Sequence, residues 1–137
     1  MKRTDIIIEA RSWMGTPYRH QGRMKGIGAD CAGIVIGIAN ALGLAHCDRR
    51  GYSRLPGTEF QLEVSRQLVP IPFQELLPGD LLTFAFRSHP QHIAIVTDIE
   101  PLKILHSHFS AGRCIEQALD DAWRSRIRGS WRFPELT

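Results

Sequence analysis

The stretch Ala29-Asp30-Cys31-Ala32-Gly33-Ile34-Val35-Ile36-Gly37-Ile38-Ala39-Asn40-Ala41-Leu42-Gly43 decides how this chain folds. Residues 31–42 are apolar on almost every side, so as a helix they belong at the centre of a domain. As a strand the same 12 residues would be unusually long. They also fall short of the ~20 that a membrane-spanning helix needs. Gly33 and Gly37, four apart, leave one side open to the close approach of another backbone, and Gly43 supplies a stop. Cys31 then lies in the first helical turn, behind Asp30 at the cap position. Unpaired N–H groups and the helix dipole favour negative charge there, which is expected to lower the thiol's pKa toward thiolate at neutral pH. Iodoacetamide at neutral pH is accordingly expected to label Cys31 before Cys47 or Cys114.

Upstream, Thr4 is positioned to cap a helix over residues 5–14, in which Ile6, Ile7, Ala10, Trp13 and Met14 fall near a 3.6-residue period. Gly15 to Asp30 reads as an irregular glycine-rich loop. Downstream, residues 44–57 form a polar loop, and Glu59 to Leu68 a surface helix ended by Pro70 and Pro72. The pattern then changes to strands: a turn at Pro78-Gly79-Asp80, strands over 81–86, 92–97, 103–108, 113–117 and 129–133, and a short helix over 118–126. Helices first and a meander of strands after them predict one α+β domain over residues 1–137.

The chain is 43% hydrophobic and 23% charged, which is globular rather than disordered composition. Met1 to Glu9 has no apolar core, so no signal peptide is expected and synthesis is placed in the cytoplasm. Net charge is +3, with arginines crowded at Arg124, Arg126, Arg128 and Arg132. That cluster reads as a solvated edge or as a face for an anionic neighbour. No nucleic-acid motif accompanies it, so no nucleic-acid partner is expected.

A cysteine nucleophile needs a base and a group to orient that base. His92 stands at the start of an apolar strand, and His106 or His108 on the following strand can orient it. Those two share a face by period-2 alternation. A two- or four-residue hairpin loop without a bulge would turn both away from His92, so an odd loop or a bulge is required. A hairpin centred on Ile99 sets His92 opposite His106, and one centred on Glu100 sets it opposite His108. A zinc site from His89, His92, His106 and Cys114 is the weaker reading, because the spacings lack a flanking cysteine pair. No metal or cofactor is therefore expected.

Five ordered blocks, Gly15-Thr16-Pro17-Tyr18-Arg19, Ala29-Asp30-Cys31-Ala32-Gly33, Pro78-Gly79-Asp80-Leu81, His92-Ile93-Ala94-Ile95-Val96 and Ile104-Leu105-His106-Ser107, resemble the NlpC-type cysteine peptidases. These are papain-like endopeptidases of the bacterial cell wall. The likeness runs from about Ile6 to Pro134, and the ending over 122–134 is similar to the phage-tail and gene-transfer-agent branch. The resemblance implies a buried central helix packed on an antiparallel sheet, with Cys31 as nucleophile, His92 as base and His106 as its orienting residue. It also implies Tyr18 at the oxyanion site. His108, a neighbour lining the cleft, and Asp30, next to the cysteine, are further candidates for substrate contact, although Asp30 also reads as a plain helix cap. The implied substrate is the peptide stem of peptidoglycan, typically cut between D-glutamate and a diamino acid. Delivery on a virion tail or tail-like particle, with tail or baseplate proteins as partners and action in the periplasm or cell wall, is implied by the ending. A catalytically silent tail component and a related amidase or acyltransferase are the alternatives. Two departures matter: Ala32 replaces the usual serine after the cysteine, and Gln21-Gly22 stands where a glycine pair is common.

Overall fold

The structure, a computed structural model, describes residues 1–136. Helix α1 spans Arg3–Arg11, the short strands β1 (Arg23–Met24) and β2 (Gly28–Ala29) form a small hairpin, and helix α2 spans Cys31–Leu42. Helix α3 (Glu59–Gln67) follows, and then β3 (Val69–Pro70), β4 (Leu81–Ala85), β5 (Pro90–Ile99), β6 (Leu102–His108) and β7 (Arg113–Ala118). The chain ends with helix α4 (Asp121–Arg124), β8 (Ile127–Arg132) and a 3-10 turn over Pro134–Leu136. Strands β3 to β8 make one antiparallel sheet in the order β3-β8-β4-β5-β6-β7. The α+β, papain-like architecture expected from the sequence is the one observed.

Alternation along the strands sorts side chains into two layers. Ile93, Ile95 and Leu105 share a core with Ile6, Ala10 and Trp13 of the N-terminal segment and with Ile34 and Ile38 of α2. Ala94, Val96 and Ile104 face the other way, into a second cluster with Leu82, Phe84, Leu119 and Trp123. The central helix closes as its sequence dictates, with Gly43 at φ 69° in the left-handed region that glycine enters without strain. One side of it is less buried than its composition suggests. Val35 and Ile36 are only half-covered and border a cavity of about 410 Å³ between α2, α3 and the 44–57 segment. The two helix glycines are used differently. A Cβ on Gly33 would lie 2.1 Å from the carbonyl oxygen of Gly22, and one on Gly37 would lie 2.0 Å from the Trp13 ring.

Several boundaries move for local reasons. Helix α1 starts at Arg3, not after Thr4, because the Asp5 carboxylate reaches back to accept the Lys2 N–H at 3.1 Å. The helix expected over 118–126 shrinks to Asp121–Arg124, since Ala118 still pairs with Lys103 in the sheet. Arg132 leaves the basic cluster. Its Nε and Nη2 donate to the two oxygens of fully buried Asp80 at 2.9 Å each, while Arg3 adds a third bond at 2.9 Å. Arg124, Arg126 and Arg128 remain exposed.

Among the described residues no helix is long and apolar enough to cross a membrane. Because Gly33 meets a backbone atom, Gly33→Ala must displace the loop before α2. Overpacking of this kind costs about 1–3 kcal/mol, against the ~1 kcal/mol that alanine gains over glycine within a helix. The expected result is a lower urea midpoint with an unchanged slope, whereas Ala41→Ser on the exposed side of α2 leaves the midpoint within experimental error.

Candidate active site

The site assembles where the start of α2 meets the strands β5 and β6. Asp30 caps α2: its Oδ1 accepts the Gly33 N–H at 2.8 Å and Arg23 Nη1 at 3.0 Å. Its Oδ2 accepts the Gln21 N–H at 2.8 Å and the Tyr52 hydroxyl at 2.5 Å. Both oxygens are thus committed to holding the chain. The carboxylate is buried, and this geometry bears out the reading of Asp30 as the helix cap. Tyr52 and Arg23 carry no pattern that the sequence reading singled out. Arg23 also bridges to Asp48 at 2.9 Å and lies over the Tyr52 ring at 5.6 Å, so the 44–57 segment is strapped onto the loop before the cysteine.

Cys31 is half-buried, with the backbone N–H of Ile93 directed at its thiol, as is that of Ala32. The sulfur therefore lies against β5 beside the residue that follows His92. A second tie fixes the same approach from β6. The Ser107 hydroxyl donates to the Ala29 carbonyl at 2.7 Å, one residue after His106 and two before Cys31. Tyr18 stands close enough to feel a charge on Cys31, and burial raises its own pKa. Its ring meets Phe109 edge-on at 5.7 Å.

His92 and His106 are both buried and hydrogen-bonded, Nε2 to Nδ1, at 2.6 Å. His108 lies 5.1 Å from the His92 ring and 5.8 Å from that of His106. The rings of Phe84, Phe86 and Trp123 lie within 6.0 Å of His92. His106 Nε2 bonds in turn to Gln117 Oε1 on β7 at 2.9 Å. Gln117 was missed by sequence reasoning, because only strand pairing reveals that β7 lies beside β6.

The hairpin that brings these rings together has a two-residue tip and a bulge. Ile99 pairs with Leu102 and Asp98 with Lys103, but Val96 pairs with Ile104 and Ile95 with Leu105, so Thr97 is the extra residue. Beyond the bulge the hairpin is centred on residue 100. Of the two registers the sequence allows, the one centred on Glu100 is observed, and not the one centred on Ile99 that would set His92 opposite His106. Continued to the strand ends, the observed register sets His92 opposite His108, yet the hydrogen bond runs to His106. Same-face neighbours on the diagonal stay within reach of long side chains, and the imidazoles use that diagonal.

The electrostatics also depart from expectation. Burial, with the Asp30 carboxylate adding to it, pushes the Cys31 thiol up to about 12, and the two N–H groups only partly oppose this. A helix dipole contributes about 0.3–1 kcal/mol at such a site, less than the ~1.4 kcal/mol of a single pKa unit, so desolvation wins. Burial likewise holds His92 well below its ordinary value, with the neighbouring histidines His106 and His108 adding to the effect, and His106 is pushed down to about 4. The resting site therefore holds a thiol and neutral imidazoles. Among the described residues, no three His, Cys, Asp or Glu side chains are grouped as a metal ion needs.

A thiol at a buried helix start, facing a histidine-bearing antiparallel sheet, defines a papain-like thiol-hydrolase fold. The sequence profile of the NlpC/P60 family matches residues 15–132, and the chain belongs to that family. It is 27% identical over 136 residues to the gamma-DL-glutamyl hydrolase of Bacillus subtilis, covering 96% of this chain and 30% of that protein. The chain thus spans under a third of that relative's length. A solved NlpC/P60 family protein from Bacillus cereus superposes with a TM-score of 0.77 at 22% identity, over 97% of this chain and 40% of that one. RipD of Mycobacterium tuberculosis, described as a non-catalytic NlpC/p60 domain protein adapted to peptidoglycan binding, superposes with a TM-score of 0.66 at 14% identity, over 98% of both chains.

Neutral Cys31 has a measurable consequence. At pH 7 iodoacetamide should modify exposed Cys47 first and Cys31 slowly, with the Cys31 rate rising roughly tenfold per pH unit as thiolate forms. Faster labelling of Cys31 than of Cys47 at pH 7, read by peptide mass spectrometry, would show a preformed thiolate–imidazolium pair instead.

Proposed function

We propose that this chain is a metal-independent cysteine endopeptidase that opens peptide stems of bacterial peptidoglycan. The observation that carries the reading is the buried His92–His106 pair on β5 and β6, with the Cys31 thiol at the start of α2 held against the backbone of Ile93, the residue after His92. In this scheme His92 takes the proton from Cys31 as the sulfur attacks the scissile carbonyl. The tetrahedral intermediate collapses as the imidazolium returns that proton to the leaving amine, and water then releases the acyl group from sulfur with His92 again acting as base. Starting from neutral partners, charge appears only with the attack.

The Bacillus subtilis relative is named for hydrolysis of gamma-DL-glutamyl bonds, which supports a glutamyl linkage in the substrate. The cavity beside α2 offers room for the substrate's arm, since Ala32 and Ile93 in its wall adjoin Cys31 and His92. Ala32, with no hydroxyl, leaves substrate recognition there to apolar contact and backbone groups. Delivery on a phage-like tail through tail or baseplate proteins rests on the likeness of residues 122–134 alone. Cofractionation with sedimentable particles supports that part, and a chain found wholly outside them removes it.

A second reading has one specific support. Burial disfavours the charged forms of both Cys31 and His92, which suits a domain that binds peptidoglycan without cutting it, as RipD is described to do. Incubation with purified peptidoglycan, with mass spectrometry of the soluble fragments, separates the two. The native chain is expected to release stem fragments, Cys31→Ala to release none while still sedimenting with the wall, and Cys47→Ala to match the native chain. His106→Ala should cut turnover far more than His108→Ala. Sedimentation with the wall but no fragments from the native chain would establish the binding reading.

A further inference from the structure

We infer that Gln117 is a positioning residue that sets the proton arrangement of the whole histidine relay, so that His92 presents an unprotonated Nδ1; this rests on the cysteine-peptidase reading of the site. A neutral imidazole has one nitrogen that donates and one that accepts. Gln117 Oε1, an oxygen that only accepts, lies 2.9 Å from His106 Nε2, so that nitrogen carries the proton. His106 Nδ1 is then the acceptor, and the 2.6 Å contact with His92 Nε2 is filled by a proton from His92. The remaining nitrogen of His92, Nδ1, keeps its lone pair. That is the condition for receiving the proton of the Cys31 thiol. An amide turned to offer its NH2 to His106 inverts every donor along the chain and leaves His92 protonated at Nδ1, with nowhere to place a second proton short of charging the ring.

The residue must also be an amide. His106 is faced by His92 from β5, by His108 on its own strand, by Gln117 from β7 and by the Trp123 ring from α4. Burial keeps it uncharged in this company, and the bond to Gln117 opposes burial only in part. A carboxylate at position 117 would draw a proton onto His106 and raise its pKa. Charged His106 donates from both nitrogens, so His92 Nε2 would have to accept and its own proton would move to Nδ1. The base would be lost as pH falls through the raised pKa of His106 and regained above it.

Gln117 is half-buried on β7, the edge strand of the sheet, so both variants below are placed where packing tolerates them. For Gln117→Glu, the acid limb of kcat/KM should move up by at least one pH unit, with activity recovering at alkaline pH. Gln117→Leu, which removes the acceptor, should lower kcat/KM roughly 10–100-fold at all pH values, the usual loss for a partner that orients a functional histidine. Nitrogen-15 NMR of the histidine rings gives a readout independent of cleavage. Both His92 and His106 should be Nε2–H tautomers in the native chain, and His106 a tautomer mixture in Gln117→Leu. Native His92 protonated at Nδ1, or the two variants losing the same factor at every pH, would overturn the inference. A native chain that cuts no peptidoglycan but shows the Nε2–H tautomers would sink the peptidase reading and leave the role of Gln117 standing.

Discussion

The carboxylate of Asp30 is the constraint on which the site depends. One buried group accepts from the first turn of α2, from the Gln21 backbone, from Arg23 and from Tyr52, and so joins the central helix, the glycine-rich loop and the 44–57 segment. A buried carboxylate is costly unless its lone pairs are filled, and here two donors meet each oxygen. The helix can therefore begin at one defined residue, and that residue is Cys31. Next to the cap the loop is also tied to the sheet, where Ala29 accepts from the Ser107 hydroxyl of β6. Cys31 and the histidines belong to different layers, and these ties hold the start of α2 against the sheet.

Burial then decides the chemistry. The helix start by itself favours a thiolate, but its field is small beside the desolvation of a sulfur set against β5 and next to a carboxylate. The histidines feel the same environment with the opposite charge, and they too stay neutral.

Much of this was legible in the sequence, and the rest was hidden for identifiable reasons. The apolar run from Cys31 to Leu42, closed by Gly43, could only be a central helix, and alternation with Pro-Gly turns marked the sheet. The need for a bulge or an odd loop followed from parity alone. The position of that bulge did not, because nothing in the residues around Thr97 sets it apart from its neighbours. Gln117 was invisible since its role depends on β7 lying beside β6, a tertiary fact. Arg132 looked like part of a solvated cluster because its partner, Asp80, is 52 residues away. The thiol was misjudged for a third reason: sequence shows the helix end but not how much protein covers it.

The bulge at Thr97 bears on how this chain is compared with its relatives. Strand residues keep their sides by parity, so the 14-residue interval between His92 and His106 has meaning only together with the two-residue tip and the one extra residue. In a hairpin of other length, loop parity and bulge count must change in step, or the second histidine faces the helices instead of the first. Alignment by counting residues from the first histidine will then pick out the wrong partner. Alignment by the side of the sheet on which each residue stands will not.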